Sequence, residues 1–199
     1  MNLKNKGFTL AEIMVSIAIV VMIMSVVLFG YRSYNDNIIL SSAGQEMAIS
    51  IRQAQVYGVS VKQVVGGDFN TSYGISFDLS NPGSYYIFAD KNNNGKYDGD
   101  VNCSSGTECV EKDDLKNAVG LSSFCSTDLG GVETCPDTTG IRSVSILFKR
   151  PDTEAYIYTF NSSGTMISGS YRSIKIIFST RSGQQSSVSV NSVGQVTVK

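Results

Sequence analysis

The stretch KNKGFTLAEIMVSIAIVVMIMSVVLFG (residues 4–30) decides the fold, because residues 8–29 form a 22-residue, predominantly apolar run. A helix needs about 20 such residues to cross the hydrocarbon core of a membrane. Lys4 and Lys6 precede the run, so the positive-inside rule predicts a cytoplasmic leader and an extracytoplasmic remainder. One carboxylate, Glu12, lies within the run. Since an ionisable side chain costs about 2.5–3.5 kcal/mol at the centre of a membrane helix, Glu12 is a candidate functional residue.

Two simpler interpretations explain less of this run. A secretory signal peptide has an apolar core of about 7–15 residues and small residues at its cleavage site. Here the run is longer, and VLFGY (residues 27–31) offers no such site. A plain single-pass anchor fits the length but gives Glu12 no role.

The segment KGFTLAE (residues 6–12), followed by the long apolar run, resembles the class III signal of type IV pilins and pseudopilins. The resemblance implies that a prepilin peptidase removes residues 1–7 by cleaving after Gly7 and then N-methylates Phe8. It also implies that Glu12 pairs with the α-amine at Phe8 of a neighbouring subunit during assembly. Opposite charges attract strongly in a low dielectric, and leaving one unpaired there is costly.

The same resemblance implies the partners and the location of the chain. The partners are the prepilin peptidase, other pilin or pseudopilin subunits and the inner-membrane assembly platform. The chain would first span the inner membrane once, with its globular domain extracytoplasmic, and would then enter a pilus or pseudopilus.

The helical pattern continues beyond the membrane segment. Apolar or small residues recur every three or four positions at Ile39, Ala43, Met47, Ile51, Ala54 and Gly58, which indicates one buried stripe. We predict a helix from Phe8 to about Val61, with a transmembrane and assembly half (residues 8–30) and an amphipathic half (residues 31–65). Many major pilins carry a proline in the apolar half, and its absence here favours a pseudopilin or minor pilin.

Short strand-like runs separated by turn residues follow the helix and predict a β domain over residues 66–199. They lie at residues 73–77, 85–89, 143–148, 155–160, 173–178, 187–190 and 195–198. The expected fold class is α+β, in which the second half of the helix packs on an antiparallel sheet, as in the pilin fold. The segments RQAQVY (residues 52–57), YIFAD (86–90) and VSVNSVGQVTV (188–198) resemble the H-type pseudopilin and its minor-pilin relatives.

A candidate calcium site lies in ADKNNNGKYDGD (residues 89–100). The oxygen-bearing residues Asp90, Asn92, Asn94 and Asp98 occupy positions one, three, five and nine of an EF-hand-like loop, with Gly95 at position six. Position twelve is Val101 instead of glutamate, and Asp100 is a candidate substitute. The alternative is a plain turn, because Asn, Gly and Asp favour turns without any ion.

Four cysteines predict disulfides in an oxidising compartment. Cys103, Cys109, Cys125 and Cys135 lie in what we expect to be a polar surface loop, residues 90–140. Four cysteines allow three connectivities, and the nearest-neighbour scheme, Cys103 with Cys109 and Cys125 with Cys135, is our first choice. Zinc is the alternative, although these spacings are not usual for a structural site.

The charge distribution leaves a nucleic-acid partner as an alternative. Residues 68–137 contain twelve Asp/Glu and four Lys, whereas residues 142–199 contain seven Lys/Arg and two Asp/Glu. This asymmetry would let copies attract one another or let the basic part meet a polyanion. Some H-type relatives bind DNA through C-terminal arginines, and Arg172, Lys175 and Arg181 are the candidates here.

Catalysis has no support in the sequence. The chain lacks histidine, the commonest general base, and contains no nucleophile-elbow, P-loop or dinucleotide motif. The sequence therefore predicts a non-enzymatic structural subunit of a type IV pilus or type II secretion pseudopilus. The alternatives are a DNA-binding minor pilin and a membrane-tethered domain that does not polymerise.

Overall fold

The computed structural model describes residues 7–60, 71–115, 119–135 and 140–199, and for residues 29–33 the backbone only. One α-helix, α1 (Leu10–Val59), is followed in these ranges by eleven strands. The chain divides into two units, Met1–Ile38 and Ile39–Lys199, and α1 contributes to both. The strands are β1 (Ser72–Asp78), β2 (Ser84–Asp90), β3 (Cys109–Asp114), β4 (Gly120–Asp128), β5 (Glu133–Thr134), β6 (Ser143–Phe148), β7 (Ala155–Phe160), β8 (Met166–Ile167), β9 (Tyr171–Ser179), β10 (Gln185–Asn191) and β11 (Val196–Val198).

The strands form two antiparallel sheets in the second unit. The six-stranded sheet has the order β3-β2-β1-β6-β7-β8, and the five-stranded sheet has the order β11-β10-β9-β4-β5. In β9, the buried residues Ile174, Ile176 and Phe178 alternate with half-buried ones, so one face of this sheet lies on the core. The final hairpin pairs Val188 with Val198 and Val190 with Val196.

The second half of α1 closes the core between the two sheets. Its predicted stripe is buried at Ala43, Met47, Ile51 and Ala54. Gly58 lies so close to β6 that a Cβ there would be 2.5 Å from the Phe148 carbonyl oxygen. The predicted α+β class, with this half of the helix packed on antiparallel strands, is confirmed.

Hydrogen bonds fix one flank of α1 to the edge strand β3. The Ser50 hydroxyl donates to Asp113 Oδ2 (2.8 Å) and lies 3.1 Å from the Tyr85 hydroxyl. One turn further along, Gln53 Nε2 donates to Glu111 Oε2 (2.7 Å). The opposite flank of α1 lies against β11, where a Cβ on Gly44 would be 2.8 Å from Val198 Cγ1.

Two sequence predictions about the β domain were wrong. We expected a single sheet, and there are two. We also expected residues 90–140 to be a surface loop, but β3, β4 and β5 lie there, and β4 pairs along most of its length with β9. Apolar side chains such as Leu121 and Phe124 bury β4 in the core, which a polar surface loop would not do.

The boundaries of the helix differ little from the prediction. Helix α1 begins at Leu10 instead of Phe8, because Thr9 caps it, and ends at Val59. The predicted helix end at Val61 and the rest of the segment to residue 65 lie outside the described residues, as do residues 1–6 of the predicted leader.

Candidate functional site

The N-terminal site begins at the predicted cleavage position. Gly7 and Phe8 precede α1 and are exposed, and Thr9 is its N-cap: the Glu12 backbone N–H donates to Thr9 Oγ1 (3.3 Å). Glu12 therefore lies in the first turn of the helix, where the helix dipole favours a negative charge. Within the described part of the chain, its carboxylate has no hydrogen bond or ion pair, so it is available to a charged partner.

The rest of this segment has a surface that is apolar except for two serines. Leu10–Leu28 is long and apolar enough to cross a membrane, with a mean hydropathy of 2.6, and all of its side chains are exposed. The hydroxyls of Ser16 and Ser25 donate to the carbonyls of Glu12 and Val21, each 2.7 Å away and one turn earlier. Because these hydroxyls are satisfied within the helix, they are tolerated in lipid, and Glu12 is the one charged side chain of the stretch.

The candidate calcium loop is folded around Asp90. This carboxylate is buried, and its two oxygens accept from the backbone N–H of Asn94 (3.1 Å) and Gly95 (3.0 Å). Gly95 has φ +75°, a left-handed conformation that glycine adopts without a steric penalty. On the far side of the turn Tyr97 stacks on Tyr86 of β2, with ring centroids 4.8 Å apart, so the loop lies on the outer face of the six-stranded sheet.

Asp98 gathers the other two predicted ligands. Its Oδ2 accepts from the side-chain amides of Asn92 (3.0 Å) and Asn94 (2.6 Å), and its Oδ1 lies 3.3 Å from Lys96 Nζ. Partial burial opposes ionisation of Asp98, but these hydrogen bonds from Asn94, Asn92 and Lys96 outweigh it and lower the pKa. The loop thus brings four of the five predicted calcium residues together: Asp90, Asn92, Asn94 and Asp98.

Glu108 is a member of this cluster that the sequence did not reveal. It lies 18 residues after Asp90, is only 8% exposed, and accepts from the backbone N–H of Lys91 (3.1 Å) and Asp98 (3.0 Å). Burial raises the pKa of Glu108, and the nearby charges of Asp90 and Asp98 add to this, while the two hydrogen bonds oppose it. No spacing rule of a contiguous calcium loop reaches this far along the chain.

Asp100, the predicted substitute for the missing twelfth-position glutamate, is engaged elsewhere. Its carboxylate accepts from the backbone N–H (2.8 Å) and the hydroxyl of Ser104, and these bonds lower its pKa. Among the described residues, the hydrogen bonds of the Asp100 side chain go to Ser104 in the next turn and none of them joins it to the other four predicted ligands. Calcium binding itself stays a prediction.

The four cysteines form two disulfides in the nearest-neighbour arrangement. Cys103 is bonded to Cys109, which directly follows Glu108, and Cys125 is bonded to Cys135. Cys125 is buried in β4, and Cys135 directly follows the short edge strand β5, so this second bond joins a core strand to the end of an edge strand instead of stapling a loop. All four sulfurs are consumed, so none of them is a thiolate for zinc.

The candidate DNA-binding residues are three separate cations in and after β9. Arg172 is exposed at a register shift near the start of β9, whereas Lys175 is half-buried and forms an ion pair with Glu133. Arg181 lies in the turn after β9. The charge of Lys175 is therefore already compensated by a carboxylate before any phosphate approaches.

The comparison with known protein families supports the interpretation of the N-terminal segment as a signal. A family model described as the prokaryotic N-terminal methylation motif matches residues 2–28. Neither the comparison with curated proteins nor that with solved structures gives a match. By its N-terminal signal and its helix-on-sheet fold, the chain is a type IV pilin-like protein whose signal is of the kind that a prepilin peptidase processes.

Proposed function

We propose that the chain is a structural subunit, a pseudopilin or minor pilin, of a type IV pilus or type II secretion pseudopilus. The observation that carries the proposal is the methylation motif joined to an apolar stretch, Leu10–Leu28, in which Glu12 is the single charge. The prepilin peptidase would cleave after Gly7 and methylate the new first residue, Phe8. As a structural subunit the chain has no catalytic role.

Glu12 is the docking charge in this proposal. Cleavage creates an α-amine at Phe8, four residues before Glu12 in sequence, so every processed subunit carries a cation and an anion at the start of its helix. In lipid, each charge is costly alone and stabilised by an opposite one. A subunit that leaves the bilayer for the fibre would therefore pair its Glu12 with the amine of a neighbour.

The proposed location follows from the same features. Before assembly, α1 would span the inner membrane once, with residues 39–199 in the extracytoplasmic space, where disulfides such as Cys103–Cys109 form and persist. The subunit would then pass through the assembly platform into a fibre that also contains other pilins or pseudopilins. The terminal β10–β11 hairpin and the proline-free α1 favour a minor role.

The test compares Glu12→Ala with Ser25→Ala in the full chain. Both substitutions remove one polar side chain from the same apolar stretch, but Ser25 bonds only to its own helix. We expect Glu12→Ala to be inserted and cleaved normally and to be lost from the sheared fibre fraction, whereas Ser25→Ala is incorporated like the wild type. Normal incorporation of Glu12→Ala would contradict the docking role.

DNA uptake is the alternative that the structure favours less. Lys175 is already paired with Glu133, and Arg172 and Arg181 lie apart from each other near the two ends of β9. Salt-dependent retention of duplex DNA by the purified chain, reduced by Arg172→Ala, would nevertheless support it. A chain that stays uncleaved and confined to the membrane would instead support a tethered domain that does not polymerise.

A further inference from the structure

The outer face of the six-stranded sheet contains a small polar pocket. Ile146 of β6 belongs to the hydrophobic core, and Ile157 of β7 packs against it. Their neighbours Leu147 and Tyr156 have the opposite parity and therefore lie on the other face of the sheet. The strand register pairs Leu147 with Tyr156, which makes them adjacent there. The pocket lies at this position and has a volume of about 250 Å³.

Three neighbouring strands and one loop line the pocket. The strands are β1, β6 and β7, and the loop is the turn that follows β2. Gly95 holds this loop against the sheet, since a Cβ on Gly95 would lie 2.9 Å from Cδ1 of the Tyr158 ring. The main lining residues are Ser72, Asn93, Leu147, Lys149, Tyr156 and Tyr158.

The polar side chains of the pocket have hydrogen-bonding capacity that the fold does not use. Ser72 is only 5% exposed, yet its hydroxyl makes no hydrogen bond within the described part of the chain. Among the same described residues, the side chains of Asn93, Lys149, Tyr156 and Tyr158 make none either. A buried hydroxyl normally has a partner. Unused polar groups that converge on one cavity are typical of a ligand site.

The charges in the pocket are balanced. Asp90 contributes one negative charge and Lys149 one positive charge. The two carboxylate oxygens of Asp90 already accept from backbone N–H groups, whereas Lys149 is exposed. Burial and the charge of Asp90 raise the pKa of Tyr158, so its hydroxyl stays protonated and can donate as well as accept. Because Asp90 repels anions, the pocket favours a neutral ligand.

We propose that this pocket binds one monosaccharide unit of a glycan. A pyranose ring is neutral and has an apolar face of C–H groups surrounded by hydroxyls that both donate and accept. The ring of Tyr156, which is 41% exposed, would cover the apolar face. The Ser72 hydroxyl, the Asn93 amide and the Lys149 ammonium would bond the sugar hydroxyls. The pocket is smaller than the roughly 300–1,000 Å³ of sites for drug-sized ligands, which suits one ring.

The site would bind a sugar without cleaving it. Hydrolysis of a glycosidic bond generally uses a pair of carboxyl groups that flank the bond. Among the described lining residues, Asp90 is the only one with a carboxyl group, and both of its oxygens are engaged. The inference goes beyond the proposed fibre function and does not depend on it, because every lining residue belongs to the globular unit, Ile39–Lys199.

The experiment is saturation-transfer NMR on the purified full chain. The detergent must have no sugar headgroup, since a glycoside detergent would compete for the pocket. The probes are the methyl glycosides of glucose, galactose, mannose and N-acetylglucosamine, with inorganic phosphate as the charged comparison. We expect at least one sugar to bind with a dissociation constant in the millimolar range and with saturation strongest at its ring C–H groups.

Two variants assign that binding to the pocket. Tyr156→Ala removes the exposed ring and should weaken binding about tenfold. Ser72→Ala removes only the unpartnered hydroxyl, leaves the fold intact and should weaken binding severalfold. The matched control is Tyr34→Ala, which removes an exposed tyrosine of α1 (67% exposed) outside the pocket and should have no effect. Near-ultraviolet circular dichroism confirms that each variant is folded, and Ser72→Ala alone decides if Tyr156→Ala is not.

Three results would overturn the proposal. The first is that none of the four sugars binds. The second is a sugar that binds Ser72→Ala and folded Tyr156→Ala as tightly as the wild type, because it would then bind elsewhere. The third is binding of phosphate without any sugar, which would make the pocket an anion site at Lys149. The measurement involves no fibre, so failure of the proposed fibre function would leave its outcome unchanged.

Discussion

Gly58→Ala tests whether the second half of α1 lies on β6. In an exposed helix, replacing Gly with Ala stabilises by up to about 1 kcal/mol. At Gly58, however, the new Cβ would lie 2.5 Å from the carbonyl oxygen, 2.7 Å from the Cβ and 2.9 Å from the carbonyl carbon of Phe148. These are backbone and near-backbone atoms of a fully buried residue, so no side-chain rotation relieves the overlap.

The change in stability that we expect for Gly58→Ala is opposite in sign to the one that helix propensity alone predicts. Overpacking of a tight core costs about 1–3 kcal/mol, and here it should exceed the gain in propensity, giving a net destabilisation of about 1–2 kcal/mol. The control is Gly44→Ala, whose Cβ would meet only the ends of side chains, Val198 Cγ1 at 2.8 Å and Phe178 Cζ at 3.2 Å. We expect that variant to remain within about 1 kcal/mol of the wild type, because the closer of the two side chains, Val198, is exposed and can move.

The assay is urea unfolding of the full chain in detergent, followed by near-ultraviolet circular dichroism. A lower midpoint with an unchanged slope would report lost stability. Gly58→Ala that is as stable as the wild type, or more stable, would refute the packing of α1 against Phe148. A larger loss for Gly44→Ala than for Gly58→Ala would refute it as well.

Three further predictions concern the loop and the disulfides. The folded pKa of Glu108 is raised above its ordinary 4.5, so the native state binds more protons than the unfolded state in the window above pH 4.5. The stability of the fold should therefore fall as the pH rises through this window. In thermal unfolding, Glu108→Gln should flatten that pH dependence. Millimolar calcium should raise the melting temperature and chelator should reverse this, more strongly in the wild type than in Asp98→Ala; an unchanged melting temperature would remove the calcium prediction. Replacing Cys125 and Cys135 together by Ser should cost about 2–4 kcal/mol in urea unfolding, and a loss below about 0.5 kcal/mol would contradict a stabilising role for this bond.

Periodicity was sufficient to predict much of this fold. The stripe from Ala43 to Ala54 identified the face of α1 that is buried, since apolar residues at a 3.6-residue period are typical of a helix with one face on a core. The strands with alternating or strongly apolar sequences, such as β6 and β7, begin and end at the predicted residues. The N-terminal motif was equally easy to recognise, because its residues are contiguous in the sequence.

The strands that the sequence analysis did not predict lack a clear strand pattern in their sequences. Strand β3 (Cys109–Asp114) reads CVEKDD and lies at an edge of its sheet, where polar side chains are tolerated, so it shows no apolar alternation. Strand β4 (Gly120–Asp128) reads GLSSFCSTD and owes its place to pairing with β9, about 50 residues later. Local sequence patterns do not reveal the pairing of strands that lie this far apart in the chain.

Some of the candidate functional residues could likewise be recognised from the sequence, and others could not. Glu12 stands out because a charge in an apolar run is anomalous wherever it occurs, and the turn residues around Asp90 have a recognisable spacing. Glu108 has no such signal, since it reaches the loop only because β3 pairs with β2. The bonds of Ser50 to Asp113 and of Gln53 to Glu111 likewise form only after β3 packs along α1.

The most direct test of the account is the intact mass and N-terminal analysis of the chain from membranes and from sheared surface material. The account predicts that the sheared fraction contains a chain that begins with N-methylated Phe8 and retains both disulfides. A chain that begins at Met1 and is confined to the membrane fraction would contradict it, because neither peptidase processing nor assembly would then have occurred.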